Sequence, residues 1–234
     1  MTMSQSKQNP GLRRLCRDLG YEFADATLLQ QALTHRSAGA INNERLEFLG
    51  DGALNFVIAA ALFRRCPEAP EGDLSRLRAA LVREQTLAEI ADELDLGRLL
   101  VLGAGEQRNG SARRASVLAD TMEAVLGAIY HESGFDAVRA VVLKLFAARL
   151  DHLPTVDAIK DPKTRLQEWL QARARPLPVY TLVQRSGAEH AQHFVCRCTL
   201  EDGDVSCDGE GSSRRKAEQA AAAAMLDRIR GAAP

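Results

Sequence analysis

Glu44, Glu47 and Asp51 stand at i, i+3 and i+7 in Asn43-Glu44-Arg45-Leu46-Glu47-Phe48-Leu49-Gly50-Asp51. A helix over this segment carries three carboxylates on one face while Leu46 and Leu49 point elsewhere. Like charges stacked in this way repel by about 0.2–0.5 kcal/mol per neighbouring pair on an exposed helix. A divalent cation seated among the oxygens removes that cost. Asp120 and Glu123 form a second pair one turn apart, inside the largely apolar stretch Ser116 to Gly127. Met122 and Val125 read there as core-facing, and carboxylates in such surroundings need a partner. Glu71, in Glu71-Gly72-Asp73, is a further candidate. Any one of these acids alone reads as a solvated helix face, and it is their company that points to a metal. Oxygen-only donors, with no His or Cys nearby in sequence, suit Mg2+ or Mn2+ and argue against zinc.

The elements that must carry these residues are helical. From Gly11 to about Leu150 the apolar positions fall at spacings of three, four or seven: Leu28, Leu29, Ala32 and Leu33, then Leu46, Leu49 and Ala53, then Leu74, Leu77 and Leu81. Pro67, Pro70, the Gly103 to Gly110 stretch and Gly134 punctuate the pattern as loops, and Asp73 reads as a helix cap. The periodicity lapses over Asp151 to Asp157, which reads as a linker. Beyond it come a helix over Lys163 to Ala174, strands over Val179–Gln184, Phe194–Leu200 and Val205–Asp208, and an Ala-rich helix over Ser213–Ile229. The expected fold is therefore two domains, all-α followed by α+β in the order α-β-β-β-α, with boundaries at 1–152, a linker at 153–159, and 160–230.

The 234 residues, 46% hydrophobic and 26% charged, exclude a disordered chain. No uninterrupted apolar run reaches the roughly 18 residues of a membrane span, and Met1 to Gly11 lacks the apolar centre of a signal peptide. A cytoplasmic protein without membrane contact is expected. The five cysteines are scattered, without CxxC pairs, and read as reduced packing residues; Cys196 and Cys198 share one strand face. The net charge of −1 gives no bulk attraction for a polyanion, so any nucleic-acid contact must rest on local placement of charge.

Such placement exists in the second domain. Gly209-Glu210-Gly211-Ser212-Ser213-Arg214-Arg215-Lys216-Ala217 opens a helix with three consecutive cations, which oppose the helix dipole. A phosphate bound by the free N–H groups together with Arg214, Arg215 and Lys216 compensates both. Thr164, Gln167, Glu168 and Gln171 share a polar face of the preceding helix, suited to the shallow minor groove and 2′-hydroxyls of A-form RNA. His35, in Thr34-His35-Arg36-Ser37, reads as a structural hydrogen-bonding residue rather than a general base. The glycines of Gly103-Ala104-Gly105 and Gly110 follow no strand, which argues against a nucleotide-binding loop.

The segment Asn43 to Asp51 is very similar to the signature of ribonuclease III. Leu33-Thr34-His35-Arg36-Ser37 upstream, and Glu71 to Arg78 and Leu118 to Ala124 downstream, agree with that family in order. The α-β-β-β-α segment resembles the double-stranded RNA-binding domain, with Ser213-Arg214-Arg215-Lys216-Ala217 in the place of its Lys-Lys motif, His190 in the loop after Gly187, and Glu218 where many members have a further Lys. The resemblance, from about Leu12 to Ile229, implies Glu47, Asp51, Asp120 and Glu123 as metal ligands, with Glu44 and Glu71 assisting cleavage. It also implies a Mg2+-dependent endoribonuclease, with Mn2+ as substitute and no small-molecule cofactor. Such an enzyme leaves 5′-phosphate and 3′-hydroxyl ends, works as a homodimer that cuts duplex RNA with a short stagger, and processes ribosomal precursors and other structured transcripts. The alternatives are a non-catalytic duplex-RNA-binding regulator, against which the retention of all six acids stands, and, more remotely, a nuclease for DNA.

Overall fold

The computed structural model describes residues 9–188, 191–200 and 205–231. It separates into two compact units that divide after Pro154.

The first unit is helical. Helix α1 (Pro10–Leu19) is capped by the Asn9 side chain and closed by Gly20 in the left-handed region. There follow α2 (Ala26–Ala32), a 3-10 turn at Arg36–Ala38, α3 (Glu44–Arg65), α4 (Glu71–Val82), α5 (Glu84–Glu93), the short α6 (Ala104–Arg108), the long α7 (Ala115–Leu145) and α8 (Ala147–Asp151). The centre of the unit is the packing of α3 on α7, with α5 also packed on α7. Leu54, Ile58 and Leu62 of α3 and Met122, Val125, Leu126 and Ile129 of α7 are fully enclosed.

Glycine decides how close the two central helices come. A methyl group at Gly50 of α3 would overlap the backbone carbonyl of Glu123, and one at Gly127 of α7 would overlap that of Leu46. The two backbones therefore touch at the level of the acidic residues. Helix α3 is also apolar on more than one side: Phe48, Phe56 and Phe63 are 83, 62 and 72% exposed while its opposite side fills the core. By length and composition it could cross a membrane, but here it packs on α7 and α4.

One local expectation is corrected and two are refined. Asp73 is not the cap of α4, which begins two residues earlier with Pro70 at the N-cap; Asp73 lies in the first turn and pairs with Arg76 at 3.0 Å. At Gly134 (φ 77°, ψ −169°) the backbone leaves the helical region, so α7 is two helical segments joined at a kink, and the break expected there from the sequence is present. The segment read as linker includes a helical turn, α9 (Val156–Ile159).

In the second unit α10 (Pro162–Gln171) precedes the antiparallel strands β1 (Val179–Ser186), β2 (His193–Leu200) and β3 (Val205–Gly211), in sheet order β1-β2-β3, followed by α11 (Arg214–Gly231). The α-β-β-β-α order is the expected one. Leu166 and Leu170 of α10, Cys198 and Leu200 of β2 and Ala221, Ala222, Met225 and Leu226 of α11 form one core. Alanine lets α11 lie close on the sheet: at Gly209 of β3 even a methyl group would meet the backbone of Ala217 and Ala221. The cysteines are free, with Cys196 and Cys198 buried as packing residues.

Candidate functional site

The contact of α3 with α7 brings the two acidic faces together. Glu47, Asp120 and Glu123 each offer a carboxylate oxygen within 4.8 Å of the others, and all three side chains are partly buried. Burial is the largest cause that pushes Glu123 up to about 8, followed by repulsion from Asp51, Glu47 and Asp120. Glu47 is raised by burial and then by Asp120 and Glu44, with Arg36 opposing. Asp120 is raised by burial and then by Glu84, with His35 and Arg36 opposing. Charges of one sign, half withdrawn from water, are held together by the helix packing at a cost in stability. Hard oxygen donors so arranged fit a divalent cation.

Asp51 stands beside this group: its repulsion reaches both Glu47 and Glu123, while its Oδ1 accepts a hydrogen bond from Asn55 Nδ2 at 2.7 Å. Glu44 lies on the other side, 3.6 Å from Arg36. Glu44, Glu47 and Asp120 line a cleft of about 490 Å3 with His35, Arg36, Glu106 and Arg114. His35 Nδ1 accepts from Ser37 N at 3.2 Å and lies 2.8 Å from Ser37 Oγ, which in turn accepts from Gly103 N at 2.9 Å. This agrees with a structural role for His35, which fixes the loop that carries Arg36.

Glu71 is not brought to the cleft within one chain. It accepts from Ser75 Oγ at 2.7 Å and lines a separate hollow with Phe56, Phe63 and Leu74. The reason is geometric: the hollow reaches to Phe63, 16 residues beyond Glu47 on a rigid helix, or about 24 Å at 1.5 Å per residue. Glu84 was not among the expected residues. It acts on Asp120 from the first turn of α5, and only the packing of α5 on α7 reveals it.

In the second unit Ser213 Oγ accepts from Lys216 N at 3.2 Å and so caps α11, leaving Arg214, Arg215 and Lys216 exposed in its first turn. On α10, Gln167 and Gln171 are exposed, Thr164 Oγ1 donates to Asp161 at 2.9 Å, and Glu168 pairs with Lys160 at 2.6 Å. His190 lies outside the described residues.

Comparison with known proteins agrees with both halves. Residues 25–150 match the Ribonuclease-III-like family and residues 162–229 the double-stranded RNA binding motif. Ribonuclease 3 of Methylococcus capsulatus is 56% identical over 215 residues, which is 92% of this chain and 94% of that protein. The chain belongs to the ribonuclease III family. Ribonuclease 3 of Vibrio campbellii is 52% identical over 94% of this chain and 98% of its own length. A crystal structure of the nuclease domain of ribonuclease III from Campylobacter jejuni superposes with a TM-score of 0.59 at 42% identity, covering 62% of this chain and 99% of that one. The chain is thus an endoribonuclease of double-stranded RNA, with a helical nuclease domain and a double-stranded RNA-binding domain. Members of the family depend on metal, and the acidic group on α3 and α7 is where the donors converge.

The raised Glu123 carboxyl makes stability depend on pH in a definite direction. Its folded-state value, about 8, exceeds the ordinary 4.5, so the folded chain keeps a proton that the unfolded chain loses. The stabilisation is complete below pH 4.5 and is lost as pH rises through 8. In EDTA, the Tm of the Glu123→Gln variant should therefore increasingly exceed that of the parent chain from pH 4.5 to 8. A constant difference across the window would contradict the assignment.

Proposed function

We propose that Glu47, Asp51, Asp120 and Glu123 hold Mg2+, with Mn2+ able to replace it, and that duplex RNA is hydrolysed beside them. The convergence of Glu47, Asp120 and Glu123 oxygens within 4.8 Å carries this reading. A divalent ion bound there supplies Lewis acidity at the phosphate and lowers the pKa of the attacking water. Glu44 borders the ligands and orients the approach to them, and Arg36, 3.6 Å from Glu44, offers a cation on the same rim. The expected products carry 5′-phosphate and 3′-hydroxyl ends.

The exposed Phe48, Phe56 and Phe63 of α3, continued by Tyr130 and Phe135, support a homodimer. An apolar patch of this kind on a charged surface is a protein interface in waiting. A two-fold pairing of this face runs the two copies of α3 in opposite directions, so that Glu71 at one end joins the Asp51 end of the second copy. Two such sites cut opposite strands with a stagger. Phe56→Glu should convert the dimer to a monomer in sedimentation; an unaltered dimer would place the interface elsewhere. Domain limits of 1–152 and 160–230, a place in the cytoplasm, and structured transcripts such as ribosomal precursors as substrates complete the reading.

The RNA contacts are assigned to Thr164, Gln167, Glu168 and Gln171 on α10 and to Ser213, Arg214, Arg215 and Lys216 on α11, with His190 completing the set. Replacing Arg214, Arg215 and Lys216 by Ala should weaken duplex binding and flatten its log–log salt dependence by about 0.7–0.9 for each lost phosphate contact. An unchanged slope would remove the assignment. For the function as a whole, a long labelled RNA duplex is incubated with the protein and Mg2+, Ca2+ or EDTA. Staggered cleavage with Mg2+ alone supports the proposal, and binding without cleavage under every ion leaves only the duplex-binding regulator.

A further inference from the structure

Glu218 stands in the first turns of α11 beside the cations assigned to RNA, and both its oxygens are engaged. Oε1 accepts from Arg214 Nε at 2.9 Å and Oε2 from Lys163 Nζ at 2.7 Å, with 14% of the side chain exposed. The two cations lower its pKa, so it is charged at neutral pH. Lys163 lies in the first turn of α10 and also over the Tyr180 ring at 4.2 Å. The next residue, Gln219, extends the link: its Oε1 accepts from Lys163 N at 3.0 Å, and its Nε2 donates at 2.9 Å to Asp161 Oδ1. Asp161 in turn caps α10 through Thr164 N at 3.1 Å. The first turns of α10 and α11 are thereby tied together by adjacent side chains. Lys216 donates to Ser212 Oγ at 3.2 Å, and Arg215 makes no ion pair among the described residues.

We propose that Glu218 is a positioning and selectivity residue of the duplex-RNA face: it fixes the spacing between the α10 face and the α11 cations, and it withdraws Lys163 and Arg214 from indiscriminate attraction to phosphate. The argument rests on the reading that these two helices meet RNA. Free Lys and Arg side chains follow phosphates on any duplex and give affinity without selectivity. A rigid pair of contact surfaces instead matches one groove geometry, and A-form RNA differs from B-form DNA in that respect. One carboxylate placed between the two helices serves both ends.

The test measures binding of the full chain and its Glu218→Gln variant to RNA and DNA duplexes of equal length and sequence, in EDTA, from 50 to 200 mM salt. Glutamine keeps the shape and removes the charge that holds two cations. The log–log salt slope should steepen by about 0.7–0.9 for each released cation that reaches a phosphate, widening the ratio of affinities at the two salt concentrations by about threefold per cation. The preference for RNA over DNA should fall, and Arg214→Ala in the same background should remove one cation's share of the steepening. A lower Tm with both duplexes weakened equally and the slope unchanged would make Glu218 merely structural and overturn the proposal. Arg215→Ala tests the underlying face separately: a shallower slope supports it, whereas no change removes the interface and the proposal with it.

Discussion

Glu123→Gln should lower cleavage by about a hundred- to a thousandfold under single-turnover conditions, and at the same time raise the thermal stability of the metal-free protein. The two effects have one origin. Loss of a preorganised electrostatic contact at a reacting centre costs about a hundred- to a thousandfold, and Glu123 is the most strongly perturbed of the three converging carboxyls. Without metal, the same carboxylate is half-buried among Asp51, Glu47 and Asp120, and its ionisation works against folding. Glutamine has the same shape, cannot ionise, and offers an N–H to the neighbouring acids. Duplex binding should persist, because the cations of α11 belong to the other unit. Retained cleavage would remove Glu123 from the site, and a lowered Tm at pH 8 would deny that its charge is strained.

The second large effect is expected at a residue with no chemistry of its own. Gly127→Val places side-chain atoms where the Leu46 carbonyl now lies, and Gly50→Val does the same to the carbonyl of Glu123. Backbone cannot yield as a side-chain tip can, so the helices must separate or the chain must unfold. Overpacking a well-filled core costs about 1–3 kcal/mol even where side chains can adjust, and here the cost should exceed that range. If the variant folds, moving α3 and α7 apart spreads the acids, and Mg2+ binding by calorimetry should weaken along with cleavage. Calorimetric affinity equal to that of the parent would show that the close approach is not what gathers the ligands. Gly52, on the same helix with open space around it, is the control: Gly52→Ala should leave metal binding near its original value and raise stability by about 0.5–1 kcal/mol, the ordinary helix-propensity gain.

These two predictions also mark where sequence reasoning succeeds and where it stops. The i, i+3, i+7 pattern of Glu44, Glu47 and Asp51 and the one-turn spacing of Asp120 and Glu123 are local properties of a helix, so each face could be read before folding. That the faces meet depends on Gly50 and Gly127. A glycine within a helix reads in isolation only as a weak helix former, and its value appears when another backbone arrives beside it. Glu71 shows the converse limit: it matches the motif in order, yet the length of α3 carries it to a different part of the surface. Glu84 reaches Asp120 only through tertiary packing. In the second unit, alternation along the strands and the Ala-rich run disclosed the layer arrangement. The ties from Glu218 and Gln219 to α10 span more than 50 residues and leave no periodic trace.

All three converging carboxylates ride on helices rather than on loops, and those helices are fixed where their backbones touch. A cation arriving at this surface would have no segment to order and little apolar area to conceal, so its capture should lack the large negative heat-capacity change that marks apolar burial. Occupancy of such a preset group is expected to answer to ionic concentration and proton activity alone.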